Sequence, residues 1–319
     1  MKIGFACKFI FPDGTQPYPS RTVTASRLSL LNETQQVDKL LEIANSNLDA
    51  LYSTLKLIGC MEPTRRMMRI TSDLFPLFTH KKFAVLNAEN VLPTLHKKLM
   101  LIGEHARKKN IRLSFHPAQF TVLASDRPDV VENSIQDMEH HTWIATHMGY
   151  GKRFQDFKIN IHLSGKLGEQ GFRKTFKKLS VECRNMITVE NDEMTSSIEQ
   201  CLALSDLCPI VMDIHHHWVM TNEFISYRDK RVKRVIDSWR GVRPTMHYSV
   251  SRPEFIPSDI MPDQNVLGIS KMKLRAHADY YHNEPINDWA MQFTDFDMMC
   301  ESKAKNQASN ELFNTYLKF

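Results

Sequence analysis

Short apolar runs alternate with longer segments of helical periodicity along almost the whole of this 319-residue sequence. The runs are rich in Ile, Val, Leu, Met and Phe, a composition typical of strands that are buried on both faces of a parallel sheet. Eight such runs lie at residues 2–7, 66–71, 111–115, 157–162, 186–190, 209–214, 244–248 and 296–301. Eight strands alternating with helices favour a closed (β/α)8 barrel, or TIM barrel, which typically has about 250 residues and more with insertions.

The segments between the runs have apolar residues at every third or fourth position, which predicts helices. These helices are expected at residues 32–58, 91–109, 129–148, 170–183, 195–206 and 222–239. An open doubly wound sheet would also alternate strands with helices, but the sequence contains neither a G-x-G-x-x-G motif nor a P-loop. We therefore predict a single α/β domain over residues 1–319, with a tail from about residue 305 that packs as a last helix or frays.

Bulk composition excludes several classes of protein. Hydrophobic residues make up 42% and charged residues 24%, and no apolar run reaches the length of about eighteen residues that would predict a membrane span. The N-terminal stretch MKIGFACKFIFPDG is interpreted as a first strand rather than a signal peptide. Six scattered cysteines without a C-x-x-C pair argue against a disulfide framework, so the cytoplasm is the expected location. The net charge of +5 is compatible with nucleic-acid binding without being diagnostic of it.

Histidine and acidic residues occur one by one at the ends of the apolar runs. They are His80, His116, His162, Glu190, Asp213, His215, His216, His217, His247, His277 and Glu301. A lone histidine at a strand end is more often a hydrogen-bonded structural residue, but repetition over successive strands favours a shared site, because barrel enzymes place catalytic residues at the C-terminal ends of several strands. Oxygen and imidazole ligands suit Mn, Zn, Fe or Mg. In D-I-H-H-H, Asp213 is expected to end a strand, with His215 and His216 in the following loop.

Eight motifs resemble, in the same order, those of the UV damage endonuclease (UvsE/UVDE) family. They are RITSDLFPLFTH, LSFHPAQF, INIHLSGKLGEQ, ITVENDE, VMDIHHHW, SWRGVRPTMHYS, AHADYY and DMMCESKAK, and the similarity extends from about residue 1 to about residue 305. The resemblance implies a TIM barrel related to endonuclease IV, with two or three divalent metal ions, usually Mn²⁺ and alternatively Zn²⁺ or Mg²⁺. It also implies an enzyme that nicks DNA on the 5′ side of UV photoproducts, both cyclobutane dimers and 6-4 photoproducts.

The same resemblance implies the residues of the metal site. The family's ligands correspond to His80, His116, His162, Glu190, Asp213, His216, His247, His277 and Glu301. Glu190, Asp213 and Glu301 are the implied catalytic carboxylates. Within D-I-H-H-H the family's ligand falls three residues after the aspartate, which selects His216, whereas His215 and His217 are left to support the ligands or to face DNA.

The resemblance also implies residues that contact damaged DNA. Gln119 and Phe120 match a Gln-Tyr pair that probes the duplex beside the lesion, with the hydroxyl lost in this chain. Phe5 corresponds to an aromatic position near the lesion, and Lys303 follows Glu301 in an E-x-K pattern that suits phosphate contact. Lys81 and Lys82 directly follow His80 and are further candidates for phosphate binding.

One position departs from the family pattern in a way that affects the metal site. Many members have a lysine two residues before the histidine numbered 247 here, and that lysine can be carboxylated to serve the metals. This chain has Thr245 there, and a threonine cannot form a carbamate. The expectation is therefore a water in that place or weaker metal binding, with the reaction type unchanged.

Two other enzyme classes use similar strand-end residues. An abasic-site endonuclease of the endonuclease IV type shares the barrel and the metal cluster. A metal-dependent sugar isomerase or epimerase also uses strand-end Glu, Asp and His, but it would have a small pocket and no salt-sensitive DNA binding. A DNA-binding barrel without activity would leave the ligand set unexplained. We favour the UV-lesion endonuclease, acting as a monomer on double-stranded DNA, in the nucleoid if the source is bacterial.

Overall fold

Eight parallel strands form a closed barrel in the computed structural model of the protein, which describes residues 1–318. The strands are β1 Ile3–Ala6, β2 Met67–Arg69, β3 Arg112–Phe115, β4 Lys158–His162, β5 Ile187–Glu190, β6 Ile210–Asp213, β7 Thr245–Tyr248 and β8 Asp297–Cys300. Each strand pairs with its neighbours in chain order, and β8 closes the barrel on β1 with Ile3 opposite Met298. The predicted TIM barrel is confirmed, and each strand lies within its predicted run.

Helices surround the barrel, most of them in the connections between successive strands. They are α1 Ala25–Leu28, α2 Glu33–Gly59, α3 Ala84–Leu86, α4 Leu92–Lys108, α5 Pro128–His147, α6 Gly168–Phe176, α7 Val181–Met186, α8 Ile198–Leu202, α9 Ile214–Thr221, α10 Lys230–Ser238, α11 Gln264–Leu267, α12 Lys271–Leu274, α13 Glu284–Ala290 and α14 Asn306–Tyr316. The predictions for α2, α4 and α5 are correct to within one residue at each end. The first of these, α2, begins with a capping box between Asn32 and Gln35.

Three predicted helices are wrong in extent. The segment predicted at 195–206 contains only α8, which has five residues. The segment predicted at 170–183 is divided into α6 and α7, and Ser180 caps the second of these by accepting a hydrogen bond from Cys183 N at 3.1 Å. The segment predicted at 222–239 contains only α10, because residues 222–229 lie outside any helix. Periodicity continued across both breaks and could not reveal them.

The prediction that His215 and His216 lie in a loop is also wrong. They belong to α9, which starts directly after β6. Asp213 is the last residue of β6 and also the N-cap of α9, because its Oδ1 accepts a hydrogen bond from the backbone N–H of His216 at 2.7 Å. One aspartate therefore ends a strand, starts a helix and fixes the three histidines that follow.

The tail packs against the barrel as α14, with Leu312 and Phe313 buried. Asn306 holds its start by exchanging two hydrogen bonds with the backbone of Ile10, at 2.7 and 2.8 Å. Within residues 1–318, none of the helices combines the length and the apolar character needed to traverse a lipid bilayer.

Candidate metal centre

Glu190 lies at the centre of a buried cluster at the C-terminal ends of the strands. It is the last residue of β5 and is fully buried. Its Oε2 lies 3.2 Å from His116 Nε2 and accepts a hydrogen bond from Asn160, and its Oε1 lies 3.0 Å from His247 Nδ1. Burial alone would raise the pKa of Glu190, but the imidazoles of His247 and His162 and the hydrogen bond from His116 hold it well below its usual range. The carboxylate is therefore charged and available to a cation.

Seven of the predicted ligands form three overlapping groups around this carboxylate. The groups are His116, Glu190 and His247; His162, Glu190 and His216; and Asp213, His247 and Glu301. Within each group one ligand atom per residue lies within 4.8 Å of the others. Since Glu190 belongs to two groups and His247 to two, the arrangement can hold neighbouring cations through shared ligands.

Asp213 supports the fit of the cluster to a cation. Its Oδ2 is buried and has no hydrogen-bond partner within the described chain, and the nearest imidazole nitrogen, Nδ1 of His216, is 3.6 Å away. Burial raises the pKa of Asp213, with Glu190 and Glu301 adding to the rise against the opposing effect of His216. A buried acceptor without a donor is costly unless it is paired, and a divalent cation would pair it. Carboxylate and imidazole donors without a thiolate suit Mn²⁺, Zn²⁺, Fe²⁺ or Mg²⁺.

Glu301 extends the cluster from the end of β8. Its Oε1 lies 3.1 Å from Nδ1 of His247 and forms an ion pair with Arg69 of β2. Burial alone would raise the pKa of Glu301, but Arg69 and His247 hold it well below its usual range. No sequence signal marked Arg69, which looks like one basic residue in an apolar run.

Two predicted ligands lie outside the three groups. His80 is exposed on the loop after β2, where its Nδ1 accepts a hydrogen bond from Lys82 N at 3.2 Å. His277 lies closer, with its ring centroid 6.2 Å from that of His216, and its Nδ1 is 3.0 Å from the backbone oxygen of Glu301. The structure thus brings seven of the nine predicted ligands together, and the metal roles of all nine remain predictions.

Hydrogen bonds distinguish the three consecutive histidines of α9. Nε2 of His215 is 2.9 Å from the hydroxyl of Ser251, which itself donates to Leu274 O, and Nδ1 of His215 is 2.9 Å from the hydroxyl of Ser249. Both ring nitrogens of His215 are therefore used inside the protein. His217 points to Glu223, with Nε2 3.1 Å from its Oε2. His216 is the one whose ring faces Glu190 and Asp213.

The predicted DNA-contacting residues differ in exposure. Phe120 is 69% exposed beside the exposed Gln119 on the loop after β3, so its ring is not part of the core. The predicted phosphate contacts, Lys81, Lys82 and Lys303, are also exposed. Phe5, by contrast, is 2% exposed and packs edge-on against Phe9.

Phe9 continues this aromatic contact towards the surface. Its ring packs edge-on against that of Phe11, with centroids 5.9 Å apart, and Phe11 is 36% exposed. Phe5, the one residue of this series that the family resemblance indicated, lies deepest of the three. Phe9 and Phe11 carry the same kind of side chain nearer to solvent.

Comparisons with known proteins assign the chain to a family. The family described as UV-endonuclease UvdE matches residues 1–319. The chain belongs to the UvdE family. Curated relatives include the UV DNA damage endonuclease of Bacillus anthracis (strain A0248), 29% identical over 301 residues that cover 91% of this chain and 87% of the relative. The corresponding protein of Bacillus cereus (strain B4264) is 28% identical over 309 residues, covering 93% and 89%.

Solved structures agree with this family. The crystal structure of SacUVDE superimposes with a TM-score of 0.78 at 26% identity and full coverage of both chains. Endonuclease IV from Thermus thermophilus has a TM-score of 0.55 at 12% identity, covering 83% of this chain and 92% of the other. At that identity the second likeness shows a shared barrel fold.

Lys158 is a buried residue of the cluster that sequence reasoning missed. Its Nζ lies 3.1 Å from Nε2 of His247, inside the barrel, and burial lowers its pKa to about 7. On β7, Thr245 lies at the position where the sequence resemblance predicted a lysine, and its Oγ1 is buried without a hydrogen-bond partner in the described chain. In this UvdE-family chain, a lysine amine supplied by β4 therefore lies beside His247. A signal existed, because K-I-N-I-H alternates polar and apolar residues, which puts Lys158, Asn160 and His162 on one face of the strand.

Proposed function

We propose that this protein is a DNA repair endonuclease that nicks one strand on the 5′ side of UV photoproducts by metal-assisted hydrolysis. The observation that carries the proposal is the Glu190-centred cluster at the mouth of the barrel, in a chain that belongs to the UvdE family. Its curated relatives are called UV DNA damage endonucleases. We include both cyclobutane dimers and 6-4 photoproducts as substrates, and a monomer as the active species.

The cluster supports binding of two or three divalent cations, for which we propose Mn²⁺. The ligands at its centre would be His116, His162, Glu190, His216 and His247, with Asp213 and Glu301 beside them. When bound, such cations would activate the attacking water and stabilise charge on the phosphate. Glu190 can serve two cations because it has two oxygens and contacts imidazoles on both sides. Arg69 and Asn160 hold Glu301 and Glu190 in place.

Lesion recognition is proposed to depend on the loop after β3. A photodimer weakens stacking and pairing, so extruding the damaged bases costs less than the few kcal/mol needed for intact bases. An exposed Phe120 ring next to Gln119 is suited to fill the space left in the duplex. Lys81, Lys82 and Lys303 are exposed and would bind phosphates independently of sequence.

Nicking of supercoiled plasmid tests the proposal directly. UV-irradiated and unirradiated plasmid are each incubated with the protein in Mn²⁺ and in EDTA. We expect conversion to the open-circular form only for irradiated plasmid with Mn²⁺. No nicking of irradiated plasmid by protein with measured bound metal would overturn the proposal, and nicking of depurinated plasmid in its place would indicate an abasic-site endonuclease.

A further inference from the structure

A small cleft opens beside the predicted metal ligand His162, on the same face of the barrel as the candidate centre. It has a volume of about 200 Å³, and it is lined by the end of β4, by residues that follow β3, β4 and β5, and by Arg275, which follows α12. Gln119 and Ser164 lie on its walls. The cleft therefore connects the predicted lesion-probing loop to the candidate metal centre.

Arg275 is held in the cleft by an ion pair and by its backbone. Its Nε lies 2.8 Å from Oε1 of Glu193, and the Glu193 side chain is 11% exposed. The chain around it is fixed by the antiparallel bridge between Ser251 and His277 and by the hydrogen bond from Arg252 N to Ala276 O at 3.2 Å. A guanidinium fixed in this way loses little conformational entropy when it binds a ligand.

The outer nitrogens of Arg275 remain free for a ligand. Within residues 1–318, the one hydrogen bond that either Nη group makes is a weak contact from Nη1 to Sδ of Met272 at 3.9 Å. Neither the amide of Gln119 nor the hydroxyl of Ser164 forms a hydrogen bond in that part of the chain, so hydrogen-bond donors from three sides are unused. A fixed guanidinium with free Nη groups matches the geometry of phosphate oxygens.

The two carboxylates of the cleft already have partners inside the protein. Asp192 is occupied in a turn, where its Oδ1 accepts hydrogen bonds from Met194 N at 2.6 Å and Ser196 N at 3.3 Å and its Oδ2 accepts one from Thr195. Glu193 is paired with Arg275, and its other oxygen lies 3.7 Å from Nε2 of His216. The Nη groups of Arg275 and the hydroxyl of Ser164 are thus unused hydrogen-bond donors on the wall of the cleft, and donors of this kind bind an anion.

We propose that Arg275, with Ser164, forms a subsite for a DNA phosphodiester next to the one at the metal centre. The proposal rests on the proposed function and assigns a phosphate-binding role to Arg275. Glu193 is a positioning residue in this arrangement, because its Oε1 pairs with the guanidinium of Arg275 while its Oε2 lies near His216. The subsite would align the strand relative to the centre while Phe120 engages the lesion.

The test measures DNA binding without metal, so that it does not depend on catalysis. A fluorescently labelled duplex with one thymine dimer is titrated with protein in EDTA over a series of salt concentrations, followed by anisotropy. For Arg275→Ala and Arg275→Gln we expect weaker binding and a salt-dependence slope smaller by about one. Arg275→Lys should keep most of the slope, since it keeps the charge, while binding less tightly because the fork is lost. All three variants should retain wild-type metal content.

Arg234→Ala is the matched control, because Arg234 is exposed on α10 and makes no side-chain hydrogen bond within residues 1–318. It should bind the duplex like the wild type. Wild-type slopes in both Arg275→Ala and Arg275→Gln, in a protein whose parent nicks irradiated plasmid, would overturn the subsite and leave the proposed function intact. The subsite would also be overturned if Arg275→Ala weakened the binding of inorganic phosphate but left the binding of the duplex unchanged. If the parent nicks no irradiated plasmid, the proposed function itself fails.

Discussion

At the scale of single residues, Glu190 has the contacts of a shared metal ligand. We predict that Glu190→Gln lowers nicking of irradiated DNA by at least about 100-fold, because the amide removes the negative charge that His116 and His247 face. Binding of the damaged duplex should remain measurable, since no proposed DNA-contacting side chain changes. Plasmid nicking, metal analysis by mass spectrometry and anisotropy provide the three measurements.

Glu132→Gln is the control for this prediction, as Glu132 is exposed on α5 and the same change there should affect none of the three measurements. Wild-type nicking by Glu190→Gln would remove Glu190 from the metal site. Loss of both duplex binding and nicking would instead point to a general loss of structure.

Phe120 and Gln119 test lesion selection at the same scale. The double variant Gln119→Ala, Phe120→Ala should cut irradiated DNA with reduced preference over unirradiated DNA, because it loses the side chains proposed to enter the duplex. Its metal content should be unchanged, and its stability should change by no more than about 0.5 kcal/mol, since Phe120 is 69% exposed. Competition between labelled dimer-containing and intact duplexes measures the preference.

Leu101→Ala provides the comparison for that variant, because Leu101 is an apolar side chain that is 60% exposed on α4. It should leave the preference for damaged DNA unaltered. An undiminished preference in the double variant would rule out the wedge, and a fall in metal content would assign Gln119 or Phe120 a role in the centre instead.

At the scale of elements, Asp213 joins β6 to α9. It has two roles, as the N-cap of α9 and as a predicted metal ligand, and two substitutions can separate them. Asp213→Asn keeps an oxygen that can accept the hydrogen bond from His216 N, whereas Asp213→Ala removes it. In EDTA we therefore expect the alanine variant to be less stable than the asparagine variant by about 1 kcal/mol. Both should bind less metal than the wild type. Urea unfolding in EDTA and metal analysis of the purified proteins measure the two effects.

The helix α11 supplies a control cap away from the cluster. Asp263 accepts a hydrogen bond from Asn265 N at 2.9 Å at the start of that helix, so Asp263→Asn should leave metal content unchanged. Equal stability of the alanine and asparagine variants of Asp213 would mean that the cap contributes nothing. Full metal content in Asp213→Asn would exclude Asp213 as a ligand.

The elements were predicted from the sequence to different degrees, for physical reasons. All eight strands were predicted correctly, because a strand buried on both faces must be a short apolar run. The helix α9 was missed, since its start depends on a single side-chain hydrogen bond from Asp213 rather than on periodicity. The division of residues 170–183 depends in the same way on the cap at Ser180.

At the scale of the whole molecule, barrel closure decides which side chains meet. The sequence indicated that strand-end ligands share one site, because parallel strands place their C-terminal ends together. It could not indicate that Lys158 of β4 meets His247 of β7, or that Arg69 of β2 meets Glu301 of β8. Those pairs depend on barrel register and side-chain reach. The position of His80 also could not be predicted from the sequence. It ends its motif like the other predicted ligands, but it lies on an exposed loop.

Closure of the barrel at its opposite end rests on Asp297, the first residue of β8. Its Oδ1 accepts hydrogen bonds from Lys2 N at 2.6 Å and Arg243 Nε at 2.8 Å, and its Oδ2 accepts one from Arg112 Nη1 at 2.7 Å. These partners lie beside or at the starts of β1, β7 and β3. Burial alone would raise the pKa of Asp297, but Arg112 and the hydrogen bonds lower it below its ordinary value.

Asp297→Asn should therefore lower the free energy of unfolding at neutral pH by about 1–3 kcal/mol, because it leaves the partly exposed guanidinium groups of Arg112 and Arg243 without their counter-charge. Since the folded-state pKa lies below the unfolded one, this stabilisation is present above the ordinary carboxyl pKa and is lost as the pH falls through the folded-state pKa. The wild type and the variant should thus converge in stability in acid. Urea unfolding in EDTA from neutral to acid pH measures this, with Asp237→Asn as the control, because the exposed pair of Asp237 with Lys233 contributes only about 0.5 kcal/mol. A constant difference across this range would show that the loss is steric, and that the charge of Asp297 does not hold the barrel closed.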